Sequence, residues 1–170
     1  MKKITILLLA VLFSATAFAQ EFSAGIRVGS GVQAMGVYHY KANSSVEARF
    51  GASWNNIDFT YGVQEPSRLM ADFTILHGWR LLDMDWTPDV GKWFVDVGAG
   101  VNVGGRGHYV YAGVTGMARI GLTFFDAPIT VAFDWSPTFG PNILYTKHFT
   151  DVGFNDLGIA NICVSCIYNF

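Results

Sequence analysis

The chain has 170 residues, of which 51% are hydrophobic, 15% aromatic and only 14% charged, where ordinary soluble domains carry about 25% charged residues. A formal net charge of −2 removes the electrostatic case for nucleic acid or for a polybasic patch on a membrane surface. After residue 20 no run approaches the roughly 18 consecutive apolar residues of a spanning helix, so the hydrophobicity is spread over many short segments.

The chain opens with Lys2-Lys3, an apolar stretch from Ile4 to Phe13, and Ala17-Phe18-Ala19 before Gln20. A charged head, an apolar centre and a small-residue box read as a secretory signal peptide over 1–19, cleaved after Ala19. Residues 20–170 then form one domain, with no linker or low-complexity tract.

Within that domain apolar residues recur with period two rather than 3.6, which predicts strands. The first is Phe22 to Gly29, with Phe22, Ala24, Ile26 and Val28 opposite Ser23, Gly25 and Arg27. The second, Val32 to Tyr40, alternates weakly. The third, Val46 to Trp54, sets Val46, Ala48, Phe50, Ala52 and Trp54 against Glu47, Arg49, Gly51 and Ser53. The fourth to seventh cover Leu69 to Leu81, Trp93 to Val103, Ala112 to Phe124 and Ile129 to Trp135; the eighth is Ile159 to Phe170. Lys41 to Ser44 and Asp126 to Pro128 read as tight turns, whereas Asn55 to Arg68 and Thr138 to Leu157 read as long loops. Alternating short turns and long loops predict an all-β fold, an eight-stranded antiparallel up-and-down transmembrane β-barrel with both termini on the periplasmic side. Ser30-Gly31 is short for an outer loop on this scheme, and Asp83 to Lys92 is long for an inner turn.

Charge placement decides which strand face points inward. The only lysines after residue 20 are Lys41, Lys92 and Lys147, all predicted in turns or loops, whereas a soluble barrel would carry Lys and Glu along its solvent face. The polar strand face is instead Gly, Ser and Thr with eight isolated charges: Arg27, Arg49, Arg80 and Arg119, and Glu47, Asp72, Asp96 and Asp134. An eight-stranded barrel has room only for side chains in its lumen, and arginines paired with carboxylates would satisfy charges buried there. The expectation is a plugged, salt-bridged interior. Phe22, Tyr40, Trp79, Trp93, Phe124, Tyr168 and Phe170 fall at the predicted periplasmic strand ends, and Trp54 and Trp135 at the opposite ends, as two interfacial girdles would.

The segments "AGIRVGSG", "GVYHYKANSSVEARFG", "ARIGLTFFDAPITVAFDWSPTF" and the final "CIYNF" together resemble the small OmpA/OmpX-like, porin-like outer-membrane barrels of Bacteroidota. Phe124 to Phe139 is the most specific part, although the resemblance extends over the whole domain. It implies an eight-stranded barrel inserted by the barrel assembly machinery of a Gram-negative outer membrane, with no enzyme activity. The second strand and the two cysteines depart from that pattern. Ile162, Val164, Cys166, Tyr168 and Phe170 share one apolar face, and Tyr168 with Phe170 resembles the signal by which that machinery recognises barrel strands.

Other chemistry is thinly represented. Cys163-x-x-Cys166 lies on a strand, where residues three apart face opposite ways, so it reads as packing rather than a redox or metal motif. His148, with Thr150 and Asp151 nearby, is the one cluster suited to acid–base work; His77 reads as interfacial. "GAGVNVGGRG" has no helix after it and so is no dinucleotide loop. The reading is a structural or surface-interaction protein acting through its extracellular loops, with a lipid-modifying enzyme or a narrow solute channel as alternatives. No cofactor, metal or nucleic acid is expected. The expected partners are outer-membrane lipids, the assembly machinery and an extracellular ligand, and a monomer is expected.

Overall fold

The computed structural model describes residues 21–58, 64–145, 150–155 and 160–170, with backbone alone at 55–58, 64–68 and 154–155. The signal-peptide segment and His148 lie outside the described residues. Ten strands make up the described fold: β1 (Phe22–Gly29), β2 (Gly31–Lys41), β3 (Ser44–Asp58), β4 (Gln64–Thr87), β5 (Gly91–Arg106), β6 (Tyr109–Phe124), β7 (Ile129–Trp135), β8 (Thr138–Tyr145), β9 (Thr150–Asn155) and β10 (Ile162–Asn169).

These ten strands occupy eight positions in a closed wall. β7 and β8 both pair with β6, along Ala118–Thr123 and Tyr109–Thr115 respectively. They are separated only by Ser136 and by Pro137, which has no N–H to give a ladder. β9 pairs with β8 and β10 with β7, so these two likewise share one position. Every pairing is antiparallel, neighbours in the wall follow chain order, and β1 closes on β10 from Ser23↔Asn169 to Gly29↔Cys163. The chain is therefore a closed, eight-stranded, up-and-down barrel, and closure leaves no free edge around its waist.

The register gives the stagger. From Val28, one row runs through Val32 and Ala52 to Ala71. The opposite row runs through Val164, Phe133, Ile120 and Val95 to Leu82. Its two ends lie eleven residues apart on β4, one of them absorbed by the bulge between Arg80 and Leu82, which leaves a stagger of ten and hence strongly tilted strands. Every residue in that row is apolar and points outward. The row through Arg27 reads Ser165, Ala132, Gly121 and Phe94 on one side and Gln33, Gly51, Asp72, Gly104, Tyr111 and Asn142 on the other, and it points inward.

Several connectors are shorter than expected because strands continue into them. Thr138 to Leu157, expected as a loop, contains β8 and β9. Its Gly140 and Pro141 disguise an alternation of Phe139, Ile143 and Tyr145 outward with Thr138, Asn142 and Leu144 inward, and β6 extends to Tyr109 to pair with it. Asn55 to Arg68 likewise becomes the continuing β3–β4 hairpin, paired as far as Asp58↔Gln64. Asp83 to Lys92 is a hairpin extension closed by Pro88–Val90, with Val90 N–H donating to the Thr87 carbonyl at 3.0 Å. β1 and β2 meet at Ser30 alone. Gly29 has φ of 154° there, and a Cβ would come within 2.4 Å of the Ile162 carbonyl oxygen.

We call the end carrying Phe22, Asn169 and the turns at Ala42–Asn43, Pro88–Val90 and Phe125–Pro128 the turn end, and the opposite one the far end. The outside is apolar and bare: Phe50 is 65% exposed, and Ile26, Val32, Val114 and Val164 are exposed too. All five tryptophans lie on this outer face, four of them exposed and Trp93 half-buried. The inside is polar, with Glu47 at 1% exposure and Asp134 at 0%. Two small apolar clusters share the lumen, Met35 with Val37 and Ile167, and Met70 with Tyr109 and Tyr111. Met35 and Val37 point inward, which is why β2 alternates so poorly in sequence.

Candidate functional site

The eight interior charges come from six strands, β1 and β3 to β7, whose period-two alternation turns them all into the lumen. Register places four in one hydrogen-bonded row, Arg80↔Asp96↔Arg119↔Asp134, across β4, β5, β6 and β7. The signs alternate along it, so each group has an opposite charge directly across the ladder, the arrangement that favours cross-strand pairing.

At the centre, Glu47 accepts from both terminal nitrogens of Arg119, at 2.9 and 3.0 Å, and from Arg49 Nε. Arg49 also donates to Ser136 Oγ at 2.8 Å and to Met117 Sδ at 3.1 Å. Asp134 accepts from Arg27 Nε at 2.5 Å and from Ser165 Oγ, and Arg119 lies 3.9 Å away. Arg27 completes its fork on Gln33 Oε1 at 2.9 Å and Asn161 Oδ1 at 3.1 Å. All five ionised groups are buried. Charges withdrawn from water this far persist only when paired and hydrogen-bonded on nearly every side.

The eight charges read from the sequence do not all meet in this way. Arg80 and Asp96 form a separate, partly exposed pair at the turn end, at 2.7 and 3.4 Å, and Arg80 reaches Asp83 at 3.4 Å. Asp72 forms no ion pair among the described residues; it accepts from Gln33 Nε2, and the Oε1 of the same Gln33 amide accepts from Arg27 Nη1. Gln33 therefore couples carboxylate to guanidinium through an amide. The sequence reading overlooked Gln33, Ser136, Ser165 and Asn161. Ser165 was legible as a polar residue between inward Cys163 and Ile167, whereas Gln33 was hidden in the blurred β2 and Ser136 in the Pro137 break.

The remaining candidates separate. Cys163 is buried, Cys166 is exposed, and both are free thiols, as opposite strand faces require. Asp151 points inward while Thr150 points out, so the two cannot share one acid–base site on the wall. His77 faces outward, hydrogen-bonded to Tyr40 Oη, with its ring 4.4 Å from that of Trp79. Tyr168 and Phe170 are exposed on the outer face with their rings 5.1 Å apart, and Phe170 lies 6.1 Å from Phe22.

Comparison with protein-family models, with curated proteins and with solved structures finds no match to this chain. Its function has to be read from its own residues.

Proposed function

We propose that the chain is an integral outer-membrane β-barrel of the small OmpA/OmpX-like kind, its lumen closed by its own salt-bridged side chains, acting as a structural or surface-interaction protein through the β3–β4 and β8–β9 hairpins at its far end. The observation that carries this reading is the inversion of polarity across the wall. Arg27, Glu47, Arg49, Arg119 and Asp134 are buried inside, while Ile26, Phe50, Phe73, Val101, Val114 and Phe133 are bare outside. In water, leaving such a surface bare would cost about 25 cal/mol per Å², and monomeric soluble proteins rarely expose large contiguous apolar surfaces. In hydrocarbon it costs nothing, and a closed ladder satisfies the backbone without water.

Aromatic placement supports the same reading. Phe22, Tyr40, Trp79, Tyr168 and Phe170 are exposed around the turn end, and Trp54 is exposed toward the far end, at the two heights where interfacial aromatics belong. The turn end then faces the periplasm. Membrane fractionation combined with gel migration of unheated and heated samples tests this: the folded chain is expected in the outer-membrane fraction, released only by detergent, and to migrate differently after boiling. Recovery as a detergent-free soluble protein would refute it. The closed lumen predicts no sustained ion conductance in planar bilayers.

A further inference from the structure

At the turn end the lumen widens into an open cavity of about 200 Å³. We propose that this cavity is a binding site for a small oxyanion, of phosphate or carboxylate size. The site requires only the barrel geometry, whatever surrounds the barrel.

Two guanidinium groups line the cavity, Arg119 and Arg80, against one carboxylate, Asp96. Two further carboxylates accept hydrogen bonds from these arginines without lining the cavity: Glu47, shared by Arg119 and Arg49, and Asp83, 3.4 Å from Arg80. The lining itself carries two guanidinium groups to one carboxylate, in a concave site where charge acts at close range. Arg119 is 4% exposed, and its Nε, itself buried, has no hydrogen-bond partner among the described residues. A buried guanidinium N–H without an acceptor is costly, and such groups are rare in folded proteins.

Arg80 is held ready for a ligand. Its guanidinium lies 4.1 Å from the Phe94 ring centroid while Asp96 grips it through two nitrogens. Among the described residues Nη1 has only a long, exposed contact to Asp83 at 3.4 Å, so this edge can exchange its partner at small cost. Phe94 can lie along the wall because it crosses Gly121, where a Cβ would come within 2.5 Å of the ring. A charge fixed before the ligand arrives loses little entropy on binding. Around the rim, Ser23 donates to Asn169 Oδ1 at 3.0 Å, Asn169 Nδ2 donates to Thr130 Oγ1 at 3.0 Å, and Thr130 meets Thr123 Oγ1 at 2.9 Å. This chain of neutral donors carries no negative charge to repel an anion.

The test is an NMR titration of the folded, isotope-labelled barrel in zwitterionic detergent, at constant ionic strength set with sodium chloride. Inorganic phosphate and acetate are titrated separately, which distinguishes phosphoryl from carboxyl ligands. The expected result is a saturable shift for at least one anion, confined to amides around the cavity such as Asn43, Ser45, Thr123 and Asn169. Arg80→Gln should weaken binding about tenfold or more, and Thr123→Leu, which fills the cavity without removing charge, should abolish it. Arg106→Gln, a charge removal at the far end of the barrel, should leave it intact. Heat-modifiable migration confirms that each variant is folded, and Thr123→Leu decides alone if Arg80→Gln does not fold. No saturable shift with either anion, or equal weakening by Arg106→Gln and Arg80→Gln, would overturn the proposal.

Discussion

The centre of the lumen and its turn end use the same chemistry, arginine against carboxylate, in different solvent. Around Glu47 and Asp134 the ionised side chains are at most 4% exposed; at the turn end Arg80 and Asp96 retain 28% and 15%. The difference teaches that energetic weight follows burial rather than pairing geometry. Removing one partner of a buried pair strands a charge where nothing solvates it, a cost of roughly 3–5 kcal/mol. Removing one partner of a pair in contact with water strands a charge that water can reclaim, a cost of roughly 0–1 kcal/mol.

Four substitutions measure that contrast. Glu47→Gln should be the most damaging, by roughly 3–5 kcal/mol, because it leaves both Arg49 and Arg119 without their carboxylate. The readout is the urea midpoint of heat-modifiable migration in lipid vesicles, and a shift equivalent to less than about 1 kcal/mol would erase the distinction. Asp134→Asn should follow closely, since Arg27 keeps only the neutral acceptors Gln33 and Asn161. Gln33→Leu should be intermediate, about 1–3 kcal/mol, through the lost acceptor of Arg27 and the lost donor to Asp72. In the same assay Arg80→Gln should change stability least, by about 1 kcal/mol or less; an effect as large as that of Glu47→Gln would mean that the turn end is as dry as the centre.

How legible this was depended on how cleanly period two was written. β3 alternates cleanly from Val46 to Trp54 and β5 from Val95 to Val103, so their faces, and with them Glu47, Arg49 and Asp96, were readable directly. β2 was not, because Met35 and Val37 place apolar side chains in the lumen against Ile167, and Gln33 was lost with it. Thr138 to Tyr145 was hidden by Gly140 and Pro141, residues that ordinarily mark turns; only the extension of β6 to Tyr109 makes it a strand. That the eight charges share an inward face was readable from sequence, but their pairing was not. Pairing depends on a stagger of ten residues between strands far apart in the chain, as when Arg27 meets Asp134 across 107 positions.

The central claim is that the apolar face of the wall points out of the barrel and into lipid. All five tryptophans lie on that face, so their fluorescence reports on it directly. In vesicles containing brominated phospholipids, the account predicts strong quenching of tryptophan emission by the lipid and weak quenching by aqueous acrylamide. Strong acrylamide quenching with no response to brominated lipid would contradict it.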